Sequence, residues 1–427
     1  MPARQTFFKG FFLAFLFYQT YMIAMYPQTK DVVYYEIPFV TAIVEDYLGK
    51  ADRIFYFVNF VGVVGALFGA FSGKLKRECK ENNSLIQIMI AYSLYNFLII
   101  LPLSYTLKLE TPQALITYSF LNSMIILVPF FLWYVLPAFK KTKDLFYWVD
   151  IGVVFMLIFA IRNFLTGNMY VMRSGHVRLL TAVAAMPFAM VLVNHFFKNK
   201  RNVLDLALIA GSLLGIILIN FRSAIYFTAV IIVLGSFMLF RKNFTKKKVT
   251  ASILILFSIV FALAQNRMFR ENFLSRVEER SLTDPSMLKR YEGWELALES
   301  FSDHPIMGSM QRYGYYRTVF RDETQPHGFV FEILPTEGII GLVFYLYVLW
   351  TLLRISLKNR DDTLSAKMFL IMLFYVLFSS LNVTLLNRLN FLIFVLTSAI
   401  ILQRNNVLEA KRAEKEKRAT LASDIRT

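Results

Sequence analysis

The chain has 427 residues, 57% of them hydrophobic and only 18% charged, a balance that excludes an ordinary soluble domain. Its formal net charge of +17 does not point to nucleic acid, because the lysines gather in short loops between apolar runs, as membrane orientation requires. A single cysteine, Cys79, excludes an internal disulfide and a cysteine-built metal site.

The apolar runs are long enough to cross a hydrocarbon core, and helices are the spanning structure that fits them. In chain order the expected spans are Phe7–Met25 (read as an uncleaved first span), Ile54–Phe71, Leu85–Leu103, Ala114–Leu136, Leu145–Leu165 and Val177–Phe197. They continue with Val203–Ile219, Ala224–Phe240, Val249–Ala264, Phe329–Leu353, Met368–Leu386 and Phe391–Leu402. That is an all-α polytopic membrane protein of about twelve spans. The loops SGKLKRECKENN, PAFKKTKD, KNKRN, RKNFTKKK and LKNRDDTLSAK and the tail AKRAEKEKRATLASDIRT are lysine-rich. They fall on one side if both termini are cytoplasmic. The expected organisation is an N-terminal transmembrane bundle over 1–264, a large extracytoplasmic loop over 265–326, C-terminal spans over 327–403, and a charged tail over 404–427.

The opposite face uses arginine. Arg173 and Arg178 precede the sixth span, Arg222 sits in NFRSA between two spans, and Arg290 lies in the long loop. Arginine on the disfavoured side calls for an anionic ligand, since its planar fork binds phosphate in a bidentate way and keeps its proton. Arg267, Arg270, Arg276 and Arg280 lie among glutamates and read as surface ion pairs. The stretch TDPSMLKRYEGWELALESF reads as a helix capped by Thr283 or Asp284, with Pro285 in its first position. Tyr291, Trp294, Leu298 and Phe301 recur on one face, expected to lie against the spans. Arg290 near the start of that helix adds charge where free N–H groups already favour anions.

Of the four histidines, His195 reads as interfacial filler, and His176 and His304 read as plain loop residues. His327, after Pro326, opens the span that follows the long loop. Gly338 and Gly341 in PTEGIIGL read as close helix packing.

In order, MRSGHV, NFRSA, KRYEGWELALESFSDHPIMGSM and PHGFVFEILPTEGIIGL resemble the O-antigen ligase and O-antigen polymerase superfamily of bacterial surface-polysaccharide assembly. The matching positions are Arg290, Trp294, Pro305 with Gly308, His327, and Glu337 with Gly338 and Gly341. Gly328 stands where that family has Asn after the histidine, and Met310 where a second Gly is common. The resemblance implies a C-type glycosyltransferase-like membrane fold and an inverting, metal-independent transfer that needs no cofactor. The implied donor is a glycan on undecaprenyl diphosphate in the outer leaflet, and the implied acceptor is a further glycan or lipid A core. It implies that Arg222 and Arg290 hold the diphosphate, with Arg173 or Arg178 assisting. His327 would serve as the general base or orient the acceptor, with the site facing the periplasm or exterior of the bacterial inner membrane. Polymerase and ligase are not separated. The alternatives are a secondary transporter and a lipid-linked glycan flippase. Against transport, no internal repeat is visible and no acidic residue in mid-span reads as suited to proton coupling.

Overall fold

The computed structural model describes residues 3, 5–13, 16, 60–106, 124–139, 142–165, 175–198, 200–218, 222–239, 285–309, 328–381 and 388–424. Every regular element among them is helical. In chain order these are α1 (Phe60–Phe71), α2 (Lys80–Tyr95), α3 (Leu127–Ala138), α4 (Thr142–Leu165), α5 (Gly175–Phe196) and α6 (Val203–Leu218). They are followed by α7 (Arg222–Leu239), α8 (Pro285–Asp303), α9 (Phe329–Lys358), α10 (Thr363–Leu381) and α11 (Arg388–Asp424). Helix α2 continues through a π-helical stretch, Asn96–Ile100, into Leu101–Thr106. Among the described residues, four helical segments are long and apolar enough to cross a membrane: Lys80–Ile100, Phe329–Lys358, Thr363–Ser380 and Leu392–Leu421. The expected span Val249–Ala264 lies outside the described residues, as does most of Phe7–Met25.

Helix α5 packs on α4, α6, α10 and α11, and α10 in turn packs on α7 and α9. The second half of α5 is buried from Ala185 to Val193, with Pro187 inside the helix. Gly62, Gly65 and Gly69 on α1 face Leu127, Phe130 and Trp133 of α3, so the small stripe lets two helices approach where larger side chains would collide.

The lysine-rich end of the bundle is tied by a buried amide network. Asn82 of α2 donates to the Leu402 carbonyl (2.8 Å) and to Asn406 Oδ1 (3.0 Å). Asn405 donates to Asn82 Oδ1 (3.0 Å) and to Cys79 Sγ (3.2 Å), and Asn359 donates to Asn405 Oδ1 (2.9 Å). Burial pushes the Cys79 thiol up from its ordinary value. In the turn between α9 and α10, burial works against the Asp362 carboxylate. The Arg404 hydrogen bond (2.9 Å) and the Ser365 N–H outweigh it and hold the carboxyl below its usual range. Helix α11 therefore runs unbroken past residue 403, because Arg404, Asn405 and Arg412 are held by the bundle rather than left in solvent.

His195 is not interfacial filler. It is 3% exposed and bridges two carboxylates, Asp150 of α4 at 2.9 Å and Asp205 of α6 at 2.6 Å. Lys198 completes the cluster with Asp205 at 2.7 Å. Nearby, Lys367 of α10 donates to the Asn194 carbonyl at 2.6 Å. Asp150 is 45 residues away in sequence, and a ring that holds three helices together is buried where an isolated one would stay wet.

Candidate functional site

Helix α9 breaks near its start. Pro335 has no N–H to give, and Gly338 leaves helical geometry altogether at φ 64°, ψ −160°. A continuous helix would aim the Ile339 and Ile340 N–H groups at Pro335 and Thr336. Here they donate to the carbonyls of Pro305 (2.9 Å) and Ile306 (3.3 Å). The freed Pro335 carbonyl accepts from the Ser309 N–H (2.8 Å). The strap Pro305–Ser309, which follows α8, thus replaces the hydrogen bonds that α9 gives up. Broken backbone in a spanning helix is tolerated when other protein groups satisfy it.

Two backbones meet at this point, so two glycines are needed. A Cβ on Gly308 (φ 69°) would stand 2.5 Å from the Glu337 nitrogen, and one on Gly338 would stand 2.6 Å from the Gly308 nitrogen. Gly338 is therefore a helix break and strap seat, not the helix-packing glycine expected from sequence. Gly341 has another task. The Glu337 side chain folds back over it, and a Cβ there would lie 2.8 Å from Glu337 Oε2. The E-G-x-x-G spacing from Glu337 to Gly341 is thus explained by one carboxylate, one break and one space.

Glu337 is 7% exposed, and Tyr92 of α2 donates its hydroxyl proton to Glu337 Oε2. The Tyr92 ring stacks on Phe344 of α9 with centroids 3.6 Å apart. Glu332, one turn into α9, is 1% exposed. Both acids lie in the expected span Phe329–Leu353, and the structure buries them there. Both carboxylates fall within an apolar run, where hydropathy averages them away. Tyr92 was missed because nothing in its local sequence sets it apart from other span aromatics.

Helix α8 starts at Pro285, as its sequence predicts, but its buried face differs. Gly293, Ala297 and Ser300 are buried, while Tyr291 and Leu298 are exposed. Small residues let α8 lie close to the first turns of α9, whereas the aromatic stripe would have held it away. Trp294 still packs inward and stacks on Phe331, with centroids 4.9 Å apart and rings within 13° of parallel. With Trp294 beside Phe331 and Pro305 beside Ile339, α8 and the start of α9 run in the same direction. The turn of α8 that carries Arg290 therefore lies toward the Gly328 end of α9.

The same end gathers two more elements. Helices α9 and α10 form a hairpin, and a Cβ on Gly328 would lie 2.6 Å from the Ser380 carbonyl oxygen near the end of α10. Helix α7 has Gly235 against Leu370 and Phe197, toward the lysine-rich end. Arg222, the first residue of α7, is about 20 Å back along its axis, toward the end of α10. The backbones of Arg222 and Arg290 are thus at the end where α9 begins. Arg178 is in the first turn of α5. The side chains of these three arginines, and Arg173 and His327 entirely, lie outside the described residues. Among the described residues no group of three or more His, Cys, Asp or Glu is arranged to hold a metal.

Residues 206–346 match the family described as O-antigen ligase. This third of the chain is similar to that family, which supports a place in the O-antigen ligase and polymerase superfamily. No curated protein matches the chain. The matched domain begins within α6 and ends just past the α9 break, so it contains Arg222, Arg290, His327, the Pro305–Ser309 strap and Glu337. Tyr92, Arg173 and Arg178 lie before it.

The domain also contains Gly328, the departure from the His–Asn pair. Its φ of 119° is one that L side chains rarely adopt, and Ser380 occupies the space a Cβ would need. Gly328→Asn, which writes the pair back, is therefore expected to lower stability by about 2 kcal/mol. Thermal unfolding in lipid discs reads this directly. An unchanged midpoint would mean that the start of α9 has another conformation.

Proposed function

We propose that the chain is a membrane glycosyltransferase that acts on undecaprenyl-diphosphate-linked glycan at the outer leaflet, as an O-antigen or exopolysaccharide polymerase or an O-antigen ligase. The observation that carries this reading is the family match over 206–346, which spans Arg222, Arg290 and His327. The grouping of the starts of α7 and α9 with the Arg290 turn of α8 supports it. About twelve spans with both termini cytoplasmic would put that end at the outer leaflet of the bacterial inner membrane.

In this reading the acceptor hydroxyl attacks C1 of the donor sugar while the C1–O bond to the diphosphate breaks, with inversion. Arg222 and Arg290 hold the diphosphate and stabilise the charge that develops on it, with Arg173 or Arg178 assisting. His327 takes the hydroxyl proton or orients the hydroxyl. No metal is assigned a part. The acceptor is another lipid-linked glycan in a polymerase and lipid A core in a ligase.

A flippase for the same lipid is the competing reading. It draws on the broken α9 and its buried Glu332 and Glu337, a combination that transporters also use.

The test uses full-length protein in lipid discs with an undecaprenyl-diphosphate oligosaccharide, with and without lipid A core. Longer lipid-linked glycan identifies a polymerase, and glycan moved to core identifies a ligase. His327→Ala, Arg222→Ala and Arg290→Ala are each expected to cut turnover by on the order of 10²-fold or more. A parallel vesicle assay follows movement of the lipid-linked glycan between leaflets. Movement without any new glycosidic bond would replace the enzyme reading with the flippase.

A further inference from the structure

The Glu337 carboxylate points away from the strap. It lies back over Gly341 and meets Tyr92 of α2, which precedes the matched domain. The contact is buried on both sides, since Tyr92 and Glu337 are each 7% exposed. Tyr92 is itself fixed by its stack on Phe344 and by an edge contact with Tyr345 at 6.0 Å. A polar contact of this kind is costly to bury in apolar surroundings unless its geometry is held, so it specifies where the break sits.

Glu337 is also the residue next to the break. Its nitrogen would be 2.5 Å from a Cβ on Gly308, and the next residue is Gly338, whose turn seats Ile306. A shift of Glu337 therefore moves the strap and the first turns of α9 together. Those turns begin at Gly328, directly after His327.

We propose that Tyr92 and Glu337 are a positioning couple, through which the first half of the chain fixes the broken start of α9 and with it the place of His327. This rests on the glycosyltransferase reading above for its effect on rate. The couple itself is a statement about the break and is tested without substrate.

Four proteins are compared in lipid discs: wild type, Tyr92→Phe, Glu337→Gln and Glu337→Ala. Tyr92→Phe removes one oxygen and keeps the aromatic stack. Backbone hydrogen exchange is followed in peptides covering 303–309 and 328–342. Tyr92→Phe and Glu337→Ala are expected to speed exchange at Ser309, Ile339 and Ile340, whose N–H groups bridge strap and helix. Glu337→Gln keeps an oxygen that accepts the tyrosine proton, so it is expected to stay close to wild type.

Turnover adds a second readout. For Tyr92→Phe and Glu337→Ala kcat is expected to fall by on the order of 10²-fold, as a misplaced group near 1 Å does. Donor KM should stay within about twofold, because the diphosphate arginines are untouched. Unchanged exchange and unchanged kcat in Tyr92→Phe overturn the couple. A Glu337→Gln protein as impaired as Glu337→Ala also overturns it, because charge rather than the hydrogen bond would then matter. If wild type makes no glycosidic bond but Tyr92→Phe still loosens those amides, the couple stands and the glycosyltransferase reading falls.

Discussion

Gly338→Ala is expected to remove most of the folded, monodisperse protein and to cut residual activity by more than any other single glycine substitution. Two costs act together. The backbone at φ 64°, ψ −160° is in a region that essentially only glycine occupies. A methyl group there also meets backbone on the strap, 2.5 Å from the Ile306 carbonyl carbon and 2.6 Å from the Gly308 nitrogen. Backbone in a hydrogen-bonded strap has nowhere to go, so the overlap is not relieved by a rotamer change. Strain and overpacking together cost about 4 kcal/mol, a large share of the stability of most proteins. Gly73→Ala is the internal control. Gly73 has φ 77° but open space around it, so it should show the conformational cost alone, about 1 kcal/mol. Gly341→Ala should fall between them, since it presses on the flexible Glu337 side chain. The readouts are size-exclusion profile and thermal midpoint after extraction. Equal behaviour of Gly338→Ala and Gly73→Ala would mean that strap and helix do not meet at this break.

The bounds of several helices and the start of α9 were legible in the sequence, for a local reason. Lysine in loops, apolar run length and Pro285 at a helix start are all read within a few residues of where they act. Helices α4 to α7 accordingly begin and end close to their expected positions. The break in α9 was not legible in the same way. Pro335 and Gly338 look like an ordinary kink and a packing glycine until Pro305–Ser309 is beside them, and that segment is some thirty residues earlier. The Tyr92–Glu337 contact spans an even longer separation. The exposed Tyr291 and Leu298 show the opposite error, in which a regular apolar stripe on α8 suggested a buried face while Gly293, Ala297 and Ser300 made the contact. Of the arginine and histidine positions, only the helix ends that carry Arg222, Arg290 and Arg178 are described, so their chemistry rests on residue type and family match.

His195 poses the same problem at the lysine-rich end, and its loss is expected to be nearly as costly as that of Gly338. His195→Ala should lower stability by about 3 kcal/mol, the usual penalty for leaving a buried carboxylate without its partner. The cost falls unevenly on the two carboxylates. Asp205 keeps Lys198 at 2.7 Å and the Asn202 N–H at 3.0 Å. Asp150 has its 2.9 Å side-chain contact with His195 alone among the described residues, and its carboxylate is only 16% exposed. Asp150 is therefore the group left stranded, and His195→Ala with Asp150→Asn should recover more than half of the loss. Adding Asp205→Asn to His195→Ala should recover little, since it also frees Lys198. Thermal unfolding of the single and double variants in lipid discs separates these outcomes as a coupling energy. A loss below about 1 kcal/mol for His195→Ala would mean that water already shares the cluster. The cluster is at the opposite end of the bundle from the start of α9. Turnover per folded molecule of His195→Ala should therefore match wild type at a temperature where both are folded. A fall in kcat there would mean that the two ends of the bundle are coupled through α10, which touches both.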